Sequence, residues 1–211
     1  MTIVFALLLN EIKNKFMKRS IQTIVYLPNF LSWVILATVV VNIFSYEGPI
    51  NAVLEMLGIE PILFMASNKW FRSVLIVTDV WKGFGYGAII YLAALSGIDP
   101  GLYEAAAIDG ANRFKRVWHI TLPGILPTIM LVTIMNLPNV LNAGFDQIFN
   151  LYNPLVMETA DIIDTWVYRV GLVERQYSLG TAVGLLRSIV GIILMLSANK
   201  IAQKVTDYRI F

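Results

Sequence analysis

Apolar residues run in long blocks along this chain, and polar residues come as short, dense interruptions. Four blocks, 21–45, 71–95, 124–145 and 179–202, are long enough to cross a bilayer, which takes roughly 20 residues. Backbone groups in lipid must be satisfied within the segment, so these blocks predict helices; none alternates like a barrel strand. Pro28, Pro127 and Pro138 fall inside them and predict kinks covered by neighbouring helices. The opening run, MTIVFALLLNEI, is apolar but too short to span. A secretory signal would carry its basic residues ahead of the apolar run, and here Lys13, Lys15 and Lys18 follow it. The expectation is the tail end of a spanning helix: an N-terminally truncated, all-α membrane protein with four full transmembrane helices plus a partial N-terminal one. Residues 1–211 read as a single domain with no internal repeat.

Composition agrees with the membrane class. Of 211 residues, 57% are hydrophobic and 14% charged, with mean hydropathy +0.69; soluble domains carry about 25% charged residues. The absence of cysteine excludes disulfides, thiol nucleophiles and cysteine metal sites. His119 is the one histidine, so no histidine cluster exists; neither a metal nor a cofactor is expected. A net charge of +2 argues against a nucleic-acid partner. The placement of charge says more. Lys13, Lys15, Lys18 and Arg19 share one side with Arg113, Lys115 and Arg116 and with Lys200, Lys204 and Arg209. The other side holds Lys69, Arg72, Arg169 and Arg175. The positive-inside rule puts the more basic side, including the C-terminus, in the cytoplasm. The outer segments, 46–70 and 146–178, are rich in aromatics, Asn, Pro and acids, unlike linkers. Within the second, Ile162, Ile163, Trp166, Val167 and Val170 recur at helical spacing and predict a short helix on the outer surface.

The most ordered polar passage is LYEAAAIDGANRFKRVWHITLPG, on the cytoplasmic side. Asp99 is suited to cap a helix that starts at Pro100. Glu104 is expected in its first turn, and Ala105, Ala106 and Ala107 give a smooth surface for close packing against another protein. Gly110 permits a change of direction, the basic residues face water or phosphate headgroups, and Pro123 fixes entry to the next span. The spacing Glu104-Ala105-Ala106, Gly110, Ile120, Leu122 and Pro123 resembles the EAA signature of the membrane-spanning subunits of ATP-binding-cassette importers. The flanks IIYLAALSGIDPG, YLPNFLSWV and FDQIFNLYNP are similar to the carbohydrate branch, and within it to polysaccharide and oligosaccharide permeases.

The resemblance covers nearly the whole chain and implies a type I ABC importer permease fold, usually of six spans. It implies a bacterial cell-membrane subunit that forms the path for a sugar or oligosaccharide delivered by an extracellular solute-binding protein. It also implies a cytoplasmic ATPase dimer and a second, different permease subunit as partners. Segment 99–123 would be the coupling element, with Glu104, Ala105, Ala106, Asp109, Gly110, Leu122 and Pro123 meeting the ATPase. No Gly-x4-Gly-Lys-Ser/Thr loop is present, so hydrolysis would belong to the partner and the chain would not be an enzyme.

Charged and polar residues within spans are functional candidates. Asp79 and Lys82 lie one turn apart and are expected to pair with each other or to line the substrate path; Arg187 is a third such charge. Asn136, Asn139 and Asn142 recur at i, i+3, i+6 and predict one polar face, either for sugar contact with Trp81, Tyr86 and Tyr91 as partners or for interhelical hydrogen bonding. KGFGYG lacks the Thr-Val and pore helix of a potassium filter, so Gly83 with Gly87, and Gly180 with Gly184, are expected as helix-packing faces. The rivals are a self-contained channel and an intramembrane enzyme. The latter needs a Ser/His or paired-Asp site within the spans, and His119 sits outside them at headgroup level.

Overall fold

The structure, a computed structural model, describes the backbone of residues 1–206 and the side chains of residues 1–200. Arg209, the side chain of Lys204 and the C-terminus lie outside the described residues. Among the described residues every regular element is helical: α1 (Thr2–Asn10), α2 (Lys15–Phe30), α3 (Trp33–Ile43), α4 (Pro49–Met56), α5 (Asn68–Ser96), α6 (Pro100–Ile108), α7 (Arg113–Arg116), α8 (Leu122–Asn136), α9 (Phe145–Leu151), α10 (Met157–Ala160), α11 (Ile163–Val167) and α12 (Tyr177–Thr206). A π-helical turn, Val117–Thr121, joins α7 to α8, and another, Tyr168–Val173, extends α11.

Asn68–Ser96, Arg113–Leu141 and Tyr177–Lys200 are each long and apolar enough to cross a membrane; α2 and α3 together pass the same test as a pair bent by 106°. Two spans differ from the sequence expectation. The first, block 21–45, is not one kinked helix. Pro28 has no N–H to continue the ladder, α2 stops at Phe30, and Ser32 starts α3 by accepting the Ile35 N–H at 3.4 Å. Block 124–145 begins and ends earlier than its apolar pattern. Its helical run starts at Arg113, so Pro123 lies inside it rather than at its entry. Pro123 cannot donate to the His119 carbonyl, and the helix widens there into the π turn Val117–Thr121. At the far end α8 gives way to a 3-10 segment, Leu137–Leu141, around Pro138.

The chain divides into two compact units, each assembled from separate stretches of sequence. One comprises Met1–Val25, Phe84–Pro138 and Val190–Phe211. Its core is Ala6, Ala88, Tyr91, Leu95 and Ile125, so the short opening helix α1 packs through Ala6 against α5 and α8. Phe5 meets Phe84 edge to face at 5.1 Å. Gly85 sets the closest approach: a Cβ there would lie 2.5 Å from Val25 Cγ1 and 2.6 Å from the Val25 carbonyl oxygen.

The other unit comprises Tyr26–Gly83 and Asn139–Ile189. Its core gathers Ala37, Val40, Phe64, Phe71, Val74, Ile148, Leu151 and Val156. Polar side chains stitch the segments around this core. Asn51, 1% exposed, donates to the Ser45 and Ile62 carbonyls (2.9 Å each) and accepts the Ile62 N–H at 2.8 Å. Gln147 donates to the Leu75 carbonyl and Thr78 Oγ1, and Asn153 to the Met65 carbonyl. The predicted helix near Ile162–Val170 is present as α11 and its π turn. Its Gly171 meets Gly180 of α12 backbone to backbone: a Cβ on Gly180 would lie 3.2 Å from Gly171 Cα. Asp164 and Arg187 form an ion pair between the same two elements.

The expected glycine faces are half realised. Gly87 and Gly180 are contact points, whereas an added Cβ on Gly83 or Gly184 meets nothing within 4 Å.

Candidate coupling helix and polar cavity

Local signals build α6. The Asp99 carboxylate accepts the Gly101 N–H at 2.9 Å, and Pro100 occupies the first turn, where its missing N–H costs nothing. Glu104 falls in the second turn, not the first as expected, too far in for the helix dipole to favour it strongly. The C-terminus closes as a Schellman motif: the Ala111 N–H reaches the Ala106 carbonyl at 2.8 Å and the Gly110 N–H reaches that of Ala107 at 3.2 Å. Gly110 carries φ +75 at this turn and has open space around it, so glycine is required there for its backbone, not its size. Asn112 then caps α7 by accepting the Lys115 N–H.

No residue of α6 is buried. Tyr103 and Ala106 turn partly inward, and Tyr103 Oη lies 3.0 Å from the buried Thr121 Oγ1, which ties α6 to the π turn. Glu104, Ala105 and Asp109 are exposed, and Ile108 is 87% exposed. Leu122 is half-buried and Pro123 exposed, but both stand on the start of α8 rather than beside the exposed face of α6. His119 Nδ1 lies 2.9 Å from the Lys115 carbonyl of its own helix.

The second unit contains a cavity of about 530 Å³ whose polar lining is Arg72, Asp79, Asn142, Gln147, Thr159 and Asp161. Gln147 and Thr159 are held by hydrogen bonds to Thr78 and Asn68. Asp161 accepts from Arg169 Nη2 at 2.7 Å and from Thr165 Oγ1 at 2.7 Å. The Arg169 guanidinium holds its carboxyl below the ordinary aspartate value, with Thr165 adding to the effect against partial burial. Arg72 and Asp79 make neither an ion pair nor a hydrogen bond among the described residues, and both open on the cavity. The lining therefore offers a carboxylate and a guanidinium without direct hydrogen bonds, together with amide and hydroxyl groups. That is a set able to accept from and donate to a polyhydroxylated molecule.

Among the path residues expected from sequence, Asp79 and Asn142 line this cavity; Trp81, Tyr86, Asn136 and Asn139 do not. The asparagines do not share one helical face. Asn136 ends α8 and donates to the Val132 carbonyl of its own helix, Asn139 is exposed in the 3-10 segment, and Asn142 lies beyond it. Pro138 breaks the register between them. Tyr91 is buried in helix packing, while Trp81 and Tyr86 are exposed on α5. The expected Asp79–Lys82 pair does not form: the Lys82 ammonium reaches backbone carbonyls instead, and Arg187 pairs with Asp164. Arg72, Gln147, Thr159 and Asp161 carry no local sequence signal of their place in the cavity, since it is made by contacts between distant segments.

Comparisons with known proteins follow the same lines. The profile of the family described as "Binding-protein-dependent transport system inner membrane component" matches residues 1–207. Protein LplB of Bacillus subtilis (strain 168) is 44% identical over 210 residues, 99% of this chain. The polygalacturonan/rhamnogalacturonan transport system permease protein YteP of the same strain is 40% identical, again over 99% of this chain. The chain spans 66% and 65% of the length of these two relatives. A chain from the crystal structure of a bacterial alginate ABC transporter, in complex with an alginate pentasaccharide-bound periplasmic protein, superposes with TM-score 0.94 at 40% identity. That match covers 99% of this chain and 73% of the other.

Proposed function

The chain belongs to the family of inner membrane components of binding-protein-dependent transport systems, and from that premise we propose that it is the permease subunit of an ATP-driven importer. Its all-α fold is the type I importer permease fold of the alginate transporter chain. Its cargo is a sugar or oligosaccharide handed over by an extracellular solute-binding protein. It works in the bacterial cell membrane beside a second permease subunit, with α6 and the C-terminus in the cytoplasm. The ATPase dimer is a separate partner, and the chain itself only conducts.

The observation that carries this proposal is α6. It is capped at both ends, tied down through Tyr103, and presents Glu104, Ala105, Ile108 and Asp109 outward, exposed among the described residues. A short rigid knob of small residues suits a groove on a moving partner, because it transmits a rigid-body displacement without side-chain rearrangement. Asp79 and Asn142, with Trp81, Tyr86, Asn136 and Asn139, are the proposed contacts along the sugar path.

The test is co-purification. The chain, its partner permease and the cognate or multi-purpose sugar-importer ATPase are co-expressed and extracted in mild detergent. Wild type is expected to retain the ATPase, and a variant carrying Glu104→Lys with Gly110→Pro to lose it. Equal retention by both would remove α6 from the dock.

A further inference from the structure

Lys82 is a charged residue in the interior of α5, a membrane-spanning helix, and the conduction path just described makes no use of it. Its ammonium donates to the carbonyl oxygens of Leu31 (2.8 Å), Asn29 (2.9 Å) and Pro28 (3.3 Å). Three N–H groups meet three acceptors, which is the full capacity of an ammonium. The acceptors all lie where α2 stops and the chain turns by 106° into α3. The last carbonyls of any helix lack intrahelical partners. In an apolar setting each bare carbonyl is costly, and a cation at a helix C-terminus also meets the negative end of the dipole. The same ammonium lies 5.7 Å from the ring centroid of Trp33, the first residue of α3. One side chain on an unbroken helix therefore touches the end of α2, the linker and the start of α3. Asp79, one turn away on the same helix, draws none of these hydrogen bonds.

We propose that Lys82 is a positioning residue that pins the elbow between α2 and α3 to α5, so that this part of the permease moves as one piece during transport. The inference rests on the transport function proposed above for its consequence, but not for its geometry. Without the pin, the elbow keeps its Ser32 cap and the Leu31 N–H bond to the Pro28 carbonyl, and the Asn29 and Leu31 carbonyls lose the ammonium as donor. The bend then opens over a range of angles, and the ATPase stroke is dissipated in flexing it.

The chain has no cysteine, so a label pair is clean to introduce. Spin labels at Leu27→Cys and Val41→Cys, both exposed, straddle the elbow in the full complex with partner permease and ATPase. Wild type is expected to give one narrow distance distribution. Lys82→Met, of similar length and no charge, is expected to broaden it at least twofold and to lower uptake at least tenfold while ATP hydrolysis continues. Lys82→Arg, which still carries a cation and several N–H donors, is expected to restore the narrow distribution and most of the uptake. If Lys82→Met does not assemble, Trp33→Leu is the second variant: it keeps the carbonyl contacts, loses the ring beneath the ammonium, and is expected to broaden the distribution by a smaller amount. A narrow distribution in Lys82→Met with uptake within twofold of wild type overturns the pin, as does a broad distribution in Lys82→Arg or an unchanged one in Trp33→Leu. Absence of uptake in the wild-type complex would count against the transport reading alone, because the distance measurement judges the pin without it.

Discussion

Helix α6 and the segments around Asn51 both interrupt an apolar chain with polar residues, and they use them in opposite ways. Around Asn51 the polar atoms are turned inward. One 1%-exposed amide holds the backbone at Ser45 and Ile62, and Gln147 and Asn153 repeat the device elsewhere in the same unit. In α6 the polar and small residues are turned outward, and the hydrogen bonds that shape the helix are almost all local caps. An inward amide is there for the fold: its partners are already present. An outward helix with closed ends and an 87%-exposed isoleucine is complete without being covered, which is the condition for a surface that another protein takes up.

This contrast makes graded predictions. The largest effect belongs to Asn51→Leu, which leaves the Ile62 N–H bare at a buried position and takes one of two hydrogen bonds from each of the Ser45 and Ile62 carbonyls. A loss of about 3 kcal/mol or more is expected, read as a lower thermal midpoint in detergent and early proteolysis near residues 46–67. A midpoint close to wild type would mean that water or lipid headgroups replace the amide, and the inward half of the comparison would fail. Next is Ile108→Ser. Stability should stay within about 0.5 kcal/mol of wild type because the side chain is exposed. Affinity of the detergent-solubilised permease for the ATPase should fall roughly tenfold, about 1.4 kcal/mol. A fall in stability without a fall in affinity would show that α6 is covered by its own chain. Gly110→Ala comes third. The site has room for a methyl, so the left-handed backbone alone is penalised, by about 1 kcal/mol. A matching loss at Gly110→Asn should be smaller, since Asn tolerates that conformation.

The smallest effect is pH dependence at Asp161. Arg169 lowers this carboxyl below its ordinary value of 3.8, so the pair stabilises the folded state at neutral pH. The contribution is present above that ordinary value and lost as pH falls through the lower folded value. Wild type should therefore be slightly more stable than Arg169→Met at pH 6–7, with the difference shrinking below about pH 4. A gap that is independent of pH would assign the Arg169 effect to packing.

The parts of the fold readable in the sequence are those written in local chemistry. Asp99-Pro100 announces the start of α6 and Gly110 its end, because caps and left-handed turns involve neighbours in the chain. The apolar blocks give the spans for the same reason. The elbow after Phe30 was not readable, because the apolar pattern continues through it and a proline within a span ordinarily only kinks it. Its stabilising group, Lys82, lies about fifty residues away in sequence, beyond the reach of any spacing rule. In the cavity, Asp79 and Asn142 stood out as polar groups in apolar surroundings. Thr159 and Asp161 did not, since they sit in a polar segment where such residues are commonplace, and Arg72 stands at the edge of an apolar block, where a flanking charge is ordinary; only tertiary contacts collect them.

The attachment of α11 to α12 has a mechanical corollary. It is made at two places, Gly171 against Gly180 and Asp164 against Arg187, separated by about two helical turns on each element. Two fixed points define a line. A segment held so cannot slide along its neighbour or swing away at either end, and rolling about that line is the one degree of freedom left to it.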